Sequence, residues 1–278
     1  MTAPLVFVTG ASSGIGQALA ARYAALGWRL ALVARRAALL QEWARAQGLG
    51  EDRCVAYAAD VAAERPEGEG GIVAAAQACI ARQGVPDVVI ANAGISVGFD
   101  TAVREDLAVM RETLVLNVLG VAATFHPFLE AMRQRRSGTL VGVASMAALR
   151  GLPGHGAYCA SKAGVVAYCE SLRVECRTSG VRVVTILPGY VATPLTARNP
   201  YSMPFLISAD TFAERAVRAI DAGVSRRVIP WQMAIVAPLL RSLPDVVYDR
   251  LFKGRKRKPR HGEGGGAGGG TGDADGAA

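Results

Sequence analysis

Short runs of β-branched and other apolar residues alternate along the chain with longer Ala/Leu-rich segments of helical period. The runs predict strands at Leu5–Thr9, Arg29–Ala34, Arg53–Ala58, Asp87–Ala91, Thr139–Ala144, Val181–Leu187 and Arg227–Ile229. They are apolar at nearly every position, as strands covered on both faces are. Helical spacing predicts helices over Gly14–Leu26, Ala37–Gln47, Gly71–Gln83, Arg104–Arg135, Gly156–Thr178 and Ala209–Ala222. The alternation implies an α/β, doubly wound parallel sheet of about seven strands in a single domain. Between the elements, Ala62–Gly70 is polar and interrupted by Gly and Pro, and reads as a surface loop. Pro194–Ser208 carries Tyr201, Met203, Phe205 and Leu206, too apolar for a free surface and suited to a lid.

Composition divides the chain into three parts. Residues 1–230 hold the alternating pattern, 231–252 form an apolar, partly helical extension, and 253–278 form a basic and then Gly-rich tail expected to be disordered. Nine of the 32 glycines fall in residues 262–278. Six of the positive charges behind the net +8 fall within Lys253–Arg260 and three negative ones, Glu263, Asp273 and Asp275, follow them, so the tail carries +3 and residues 1–252 carry +5. The basic balance is therefore partly a property of the tail, and with no aromatic interleaving it implies no nucleic-acid partner. Five cysteines lack ligand spacing, so neither a metal site nor a disulfide framework is expected, and a reducing compartment follows. No signal peptide is read ahead of Leu5, and Ile229–Leu243, broken by Pro230 and Pro238, is too short to span a bilayer. A cytoplasmic protein is expected. The extension and its basic cluster could rest on the inner face of an anionic membrane, or the helix could pack over the lid with a solvated tail.

Candidate chemistry begins after the first strand. In Val8–Gly16, Gly10 permits a tight turn, Gly14 lets backbone approach a pyrophosphate, and Gly16 allows close helix–sheet packing. Ser12, Ser13 and Ile15 complete a loop that meets the N-terminus of the first helix, where free N–H groups favour an anion. Farther on, Tyr158 and Lys162 stand four apart on a predicted helix and so share a face. An ammonium beside a phenol stabilises the phenolate and brings its ordinary pKa of about 10 toward neutrality, the requirement for a general acid and base. Ser145 ends a strand at its carboxyl edge, where open parallel sheets place ligands, and Asn117 interrupts the long apolar helix.

The spacing of Thr9, Gly10, Gly14 and Gly16, followed in order by Asp60, Ala91–Gly94, Asn117, Ser145, Tyr158 with Lys162, and Pro188–Gly189 with Thr193, resembles the short-chain dehydrogenase/reductase family. The resemblance covers roughly residues 5–225 and implies a Rossmann-type fold. It implies a catalytic tetrad of Asn117, Ser145, Tyr158 and Lys162, with Asn117 anchoring a water for proton relay. It also implies a nicotinamide dinucleotide held by the first turn, by Asp60 and Val61 at the adenine, by Asn92, Ala93 and Gly94 beside the adenine ribose, by Tyr158 and Lys162, and by Pro188, Gly189, Val191 and Thr193. The second strand ends in Ala34, Arg35 and Arg36 without an acidic residue, which favours NADP(H) over NAD(H); a solvated strand end would use the same arginines. His155 is assigned to the pocket rim, Cys159 to helix packing and His126 to structure.

The pocket lining, Leu195 and the lid on one side and Val97, Met146, Leu149, Leu152, His155 and Tyr190 on the other, suits a small apolar ketone or secondary alcohol. The long helices imply a homodimer or homotetramer. The family's usual Asp-Gly-Gly ending is replaced by Ile229-Pro-Trp, which favours the dimer. The competing readings are a non-catalytic dinucleotide-sensing regulator and a membrane-surface interaction protein on the same fold.

Overall fold

The computed structural model describes residues 2–254 and 257–260, apart from Glu64 and Arg198. The Gly-rich segment 262–278 and the basic residues Arg255 and Lys256 lie outside the described residues. In chain order the elements are β1 (Leu5–Thr9), α1 (Gly14–Ala25), β2 (Arg29–Ala34), α2 (Ala37–Ala46), β3 (Cys54–Ala58), α3 (Ile72–Gln83), β4 (Val88–Ala91), α4 (Asp106–Leu114), α5 (Gly120–Gln134), β5 (Gly138–Val143), α6 (Gly156–Glu175), β6 (Val181–Pro188), β7 (Val191–Ala192), α7 (Pro194–Ala197), β8 (Ile207–Ser208), α8 (Ala209–Asp221), β9 (Arg226–Ile229), α9 (Trp231–Ser242) and α10 (Asp245–Phe252).

Seven strands form one parallel sheet in the order β3-β2-β1-β4-β5-β6-β9, and β7 pairs with β8 in a two-stranded flap. The strand order reverses next to β1, so the crevice between β1 and β4 opens at their carboxyl ends, where doubly wound sheets bind ligands. The apolar runs are continuous because each strand feeds two cores. Leu5 and Phe7 of β1 join one with Val121, Phe125, Phe128 and Met132 of α5. Val6 and Val8 join the other with Leu19 and Tyr23 of α1 and Phe212 of α8.

The long helix expected over Arg104–Arg135 is interrupted. Between α4 and α5 the chain makes a π-helical turn, Val115–Leu119, which inserts one extra residue and swings Asn117 into the interior. By length and composition alone Asp106–Gln134 could cross a membrane, yet one face of α5 packs on the sheet.

The extension is ordered by a residue far from it. Arg150 donates from Nη1 to the carbonyls of Leu240 (2.9 Å), Arg241 (3.0 Å) and Leu243 (2.9 Å), and from Nη2 to Asp245 at 2.8 Å. It thereby satisfies the terminal carbonyls of α9, and its guanidinium stacks 4.1 Å from the Tyr248 ring centroid. On the outer side Trp231, Ile235 and Leu239 remain exposed along one stripe of α9.

Residues 257–260 do not form the solvated tail expected from their charge. Arg257 pairs with Asp100 at 3.0 Å and Arg260 with Asp106 at 2.7 Å, while Lys258 is buried. Asp100 in the loop after β4 and Asp106 at the start of α4 hold this segment against the body.

Candidate active site

The first turn is built around Thr9 at the end of β1. Its hydroxyl accepts the N–H groups of Asn92 (3.0 Å) and Ala93 (3.2 Å), and the Asn92 amide returns a bond to the Thr9 carbonyl at 3.1 Å. These bonds lock the ends of β1 and β4 together. In the sequence Thr9 stands only as a motif position beside Gly10; the signal of its fastening role is a hydroxyl at the end of an otherwise apolar strand.

Gly14 adopts φ +54°, and any side chain there would meet Thr193, 3.2 Å from an added Cβ. Gly16 leaves even less room, since its Cβ would lie 2.2 Å from the Gly10 carbonyl oxygen. Ser13 precedes α1 without capping it through its side chain, so the first-turn N–H groups face the cradle available to an anion. Ser12 and Ile15 are half-buried beside it. A pyrophosphate fits this arrangement because the cradle has backbone donors and no side chains filling it.

Ala11 N–H ties the turn to Val33 of β2 at 3.2 Å, which places the β2 exit alongside. There Arg35 and Arg36 are both exposed, and among the described residues neither forms an ion pair. Asp60 follows β3 and accepts the Ala62 N–H at 2.9 Å, while Val61 is buried against Gly120. Pro188 is buried at the end of β6, and the Gly189 N–H donates to Ile229 at 2.7 Å. Val191 is buried in the flap, and Thr193 projects over Gly14. The candidate binding residues thus line the carboxyl edge of the sheet on both sides of the crevice.

The four candidate catalytic residues converge at the β4 and β5 ends. Asn117 is fully buried; its Oδ1 accepts the Ile95 N–H and its amide donates to the Ile95 carbonyl, both at 2.9 Å. The amide also donates to Ser161 Oγ at 2.9 Å, and Ser161 donates to the Tyr158 carbonyl at 2.8 Å. Ser161 therefore links Asn117 to the helix turn carrying Tyr158, a connection not recognised from the sequence. Gly94 lies in the same corner, where a Cβ would come 3.0 Å from Asn117 Oδ1 and 3.3 Å from Lys162 Nζ.

Ser145 starts a short 3₁₀ turn, and its Oγ accepts the Ala147 N–H at 3.1 Å. Burial pushes the Tyr158 phenol above its ordinary pKa, while its hydrogen bond with Ser145 pulls the other way. Lys162 is buried, donates to the Val143 carbonyl at 2.9 Å, and stands 5.9 Å from the Tyr158 ring centroid. Burial lowers Lys162 to about 8. The lysine was expected to bring the phenol toward neutrality; in the structure desolvation dominates and the net direction is upward.

Around this centre His155 is buried, with Nδ1 3.1 Å from the Pro153 carbonyl and Nε2 3.1 Å from the Tyr201 hydroxyl. The Tyr190 and Tyr201 ring centroids are 6.4 Å apart, so the lid meets the opposite wall through aromatic side chains. Leu195, Phe205 and Leu206 are exposed, Cys159 is buried in α6, and His126 lies exposed on α5.

A family profile described as short chain dehydrogenase matches residues 4–202. An uncharacterized oxidoreductase of Myxococcus xanthus is 39% identical over 247 residues, covering 87% of this chain and 93% of the relative. A short-chain dehydrogenase from Streptomyces avermitilis superposes with a TM-score of 0.74 at 26% identity, over 90% of this chain and 95% of that one. An alcohol dehydrogenase from Thermococcus sibiricus, complexed with 5-hydroxy-NADP, gives a TM-score of 0.69 at 27% identity, over 81% and 95% of the two chains.

Proposed function

The chain belongs to the short-chain dehydrogenase family and is an NAD(P)-dependent oxidoreductase, and we propose that it uses NADP(H) to interconvert an apolar-bodied ketone and its secondary alcohol. The observation that carries the reading is the convergence of Asn117, Ser145, Tyr158 and Lys162 beside a glycine cradle. Two exposed arginines without carboxylate partners among the described residues, at a strand end lacking Asp or Glu, support the preference for a 2′-phosphate. The Thermococcus sibiricus relative, whose structure holds an NADP derivative, supports the same preference.

The bound cofactor supplies or accepts the hydride. The protein's part is to orient the carbonyl and manage one proton. The Ser145 hydroxyl is near enough to the Tyr158 phenol to draw its pKa down against burial, and a carbonyl oxygen placed between the two groups can accept from both. Burial keeps Tyr158 protonated at neutral pH, which suits proton donation during reduction. The Lys162 ammonium, charged below about pH 8, stabilises the phenolate left behind. Asn117 and Ser161 hold the loop after β4 against α6, keeping these groups in register for proton relay.

NADPH oxidation against a panel of ketones, with a parallel NADH arm, tests the reading. Tyr158→Phe should retain NADPH binding and lose turnover; a variant that keeps most of the activity would return the site to a sensing role. Two surface features support assembly readings. Exposed Leu107, Leu114 and Leu119 on the α4–α5 helix, with Val174 on α6, favour a homodimer, which light scattering would detect. The Trp231, Ile235 and Leu239 stripe favours peripheral contact with a cytoplasmic membrane face, which liposome flotation would detect.

A further inference from the structure

Residues 257–260 cross the loop that follows β4. The Gly98 N–H donates to the Pro259 carbonyl at 3.1 Å, and a Cβ on Gly98 would lie 2.3 Å from the Lys258 carbonyl oxygen. Segment and loop therefore touch backbone to backbone. The loop is also tied to the turn ahead of α6, because the Phe99 N–H donates to Gly154 at 3.0 Å. Gly154 faces Arg257, whose Cβ would be 3.0 Å from an added Cβ. The crossing thus lies over the junction between the Ile95 loop clasped by Asn117 and the turn that leads to Tyr158.

Three cations enter this crossing, and their partners differ. Arg257 takes Asp100 and Arg260 takes Asp106, the latter through two contacts of 2.7 Å and 3.2 Å. Lys258, only 8% exposed, has its ammonium on the Ser96 hydroxyl at 2.9 Å. Among the described residues no carboxylate pairs with it. An ammonium carries three donors, and one neutral hydroxyl leaves its charge uncompensated in a place where an unpaired charge is costly. Burial holds His155 below the usual imidazole range, against the Pro153 carbonyl, which raises it, and the Lys258 charge adds a smaller push in the same direction as burial. His155 in turn touches Tyr201, whose phenol is raised by burial and by the neighbouring Tyr190 and Tyr158.

We propose that Lys258 is a specificity-determining residue whose ammonium, with the Ser96 hydroxyl, recognises a carboxylate on the carbonyl substrate, so that the enzyme prefers oxoacids to neutral ketones. One ammonium and one hydroxyl balance a monoanion; a phosphate dianion would call for more donors than this pair supplies. An apolar body with a single acidic end is compatible with the aromatic wall of Tyr190 and Tyr201. The proposal rests on the oxidoreductase reading given above.

The test uses the full chain and NADPH oxidation on a ladder of linear oxoacids. The separation of ketone and carboxylate is stepped, and each acid is paired with its methyl ester. At the matching separation the wild type should favour acid over ester by about 10–100-fold in kcat/KM, the scale of a hydrogen bond to a charged group. Lys258→Met should bring that ratio close to unity, and Lys258→Arg should keep most of it. The preference should also fade as pH rises through about 8, where Lys258 loses its proton. Because the readout is a ratio, a general loss of folded enzyme does not mimic it. No preference at any spacing, or an unchanged ratio in Lys258→Met, would overturn the assignment and leave the lysine as an anchor of the crossing segment. Failure to oxidise NADPH with any ketone, acid or ester would overturn the oxidoreductase reading and this proposal together.

Discussion

Replacing Lys162 by methionine keeps an unbranched apolar stem and removes a charge that is 4% exposed and lacks a carboxylate partner among the described residues. Burial lowers this lysine from 10.5 to about 8 in the folded protein. Between those values the unfolded chain binds more protons than the folded one, so stability rises with pH there. Below about pH 8 the cost of burying the ammonium is present in full, roughly 3 kcal/mol at about 1.4 kcal/mol per pKa unit, and it fades by about pH 10.5. Methionine carries no such cost. The stability of Lys162→Met relative to wild type should therefore fall by about 2 kcal/mol between about pH 7 and about pH 9.5. Losing the bond to the Val143 carbonyl adds an offset that does not titrate in this range, since a neutral amine also donates. Urea unfolding of both proteins, free of cofactor and at matched ionic strength, measures the difference. A gap that stays flat across the range would mean that the ammonium keeps its ordinary pKa, and would refute the burial cost assigned to it.

Arg35→Ala should weaken NADPH relative to NADH by about 10–100-fold, the scale of a charge-assisted contact to the 2′-phosphate; an unchanged ratio of KM values would place phosphate recognition elsewhere. Gly16→Ala forces a Cβ to within 2.2 Å of the Gly10 carbonyl oxygen, so the cradle must open. Calorimetry should show loss of dinucleotide binding, and wild-type affinity would contradict the packing role. Arg150→Ala strips three carbonyl contacts from the end of α9 and should destabilise α9 and α10 by about 1–3 kcal/mol. Limited proteolysis should then cut between the two helices first, whereas an unchanged cleavage pattern would deny Arg150 that role. The exposed Asp245 contributes little to this effect, because its charge is screened.

The strands were legible because burial on two faces leaves its mark on every residue, as Leu5, Phe7, Val6 and Val8 show by serving both cores. The first turn was legible because its glycines answer a local demand of backbone geometry. What escaped was non-local or off-period. A π turn adds one residue to a helix whose apolar pattern continues through it, so Asn117 read as an oddity within one helix. The docking of 257–260 depends on Asp100 and Asp106, more than 150 residues away, and a run of basic residues alone looks like a solvated tail. The direction of Tyr158 escaped for a related reason: spacing reveals the lysine beside it, whereas the depth of burial belongs to the tertiary structure.

The crossing made by residues 257–260 also sets a schedule. A chain growing from its N-terminus has every strand of the large sheet, through β9, before residue 257 exists. The dinucleotide crevice can close while the wall over the Ile95 loop is still missing. A nascent molecule therefore passes through a stage that can hold its coenzyme before it can select what to reduce. Selectivity arrives last, when an arginine on either side of Lys258 finds its aspartate.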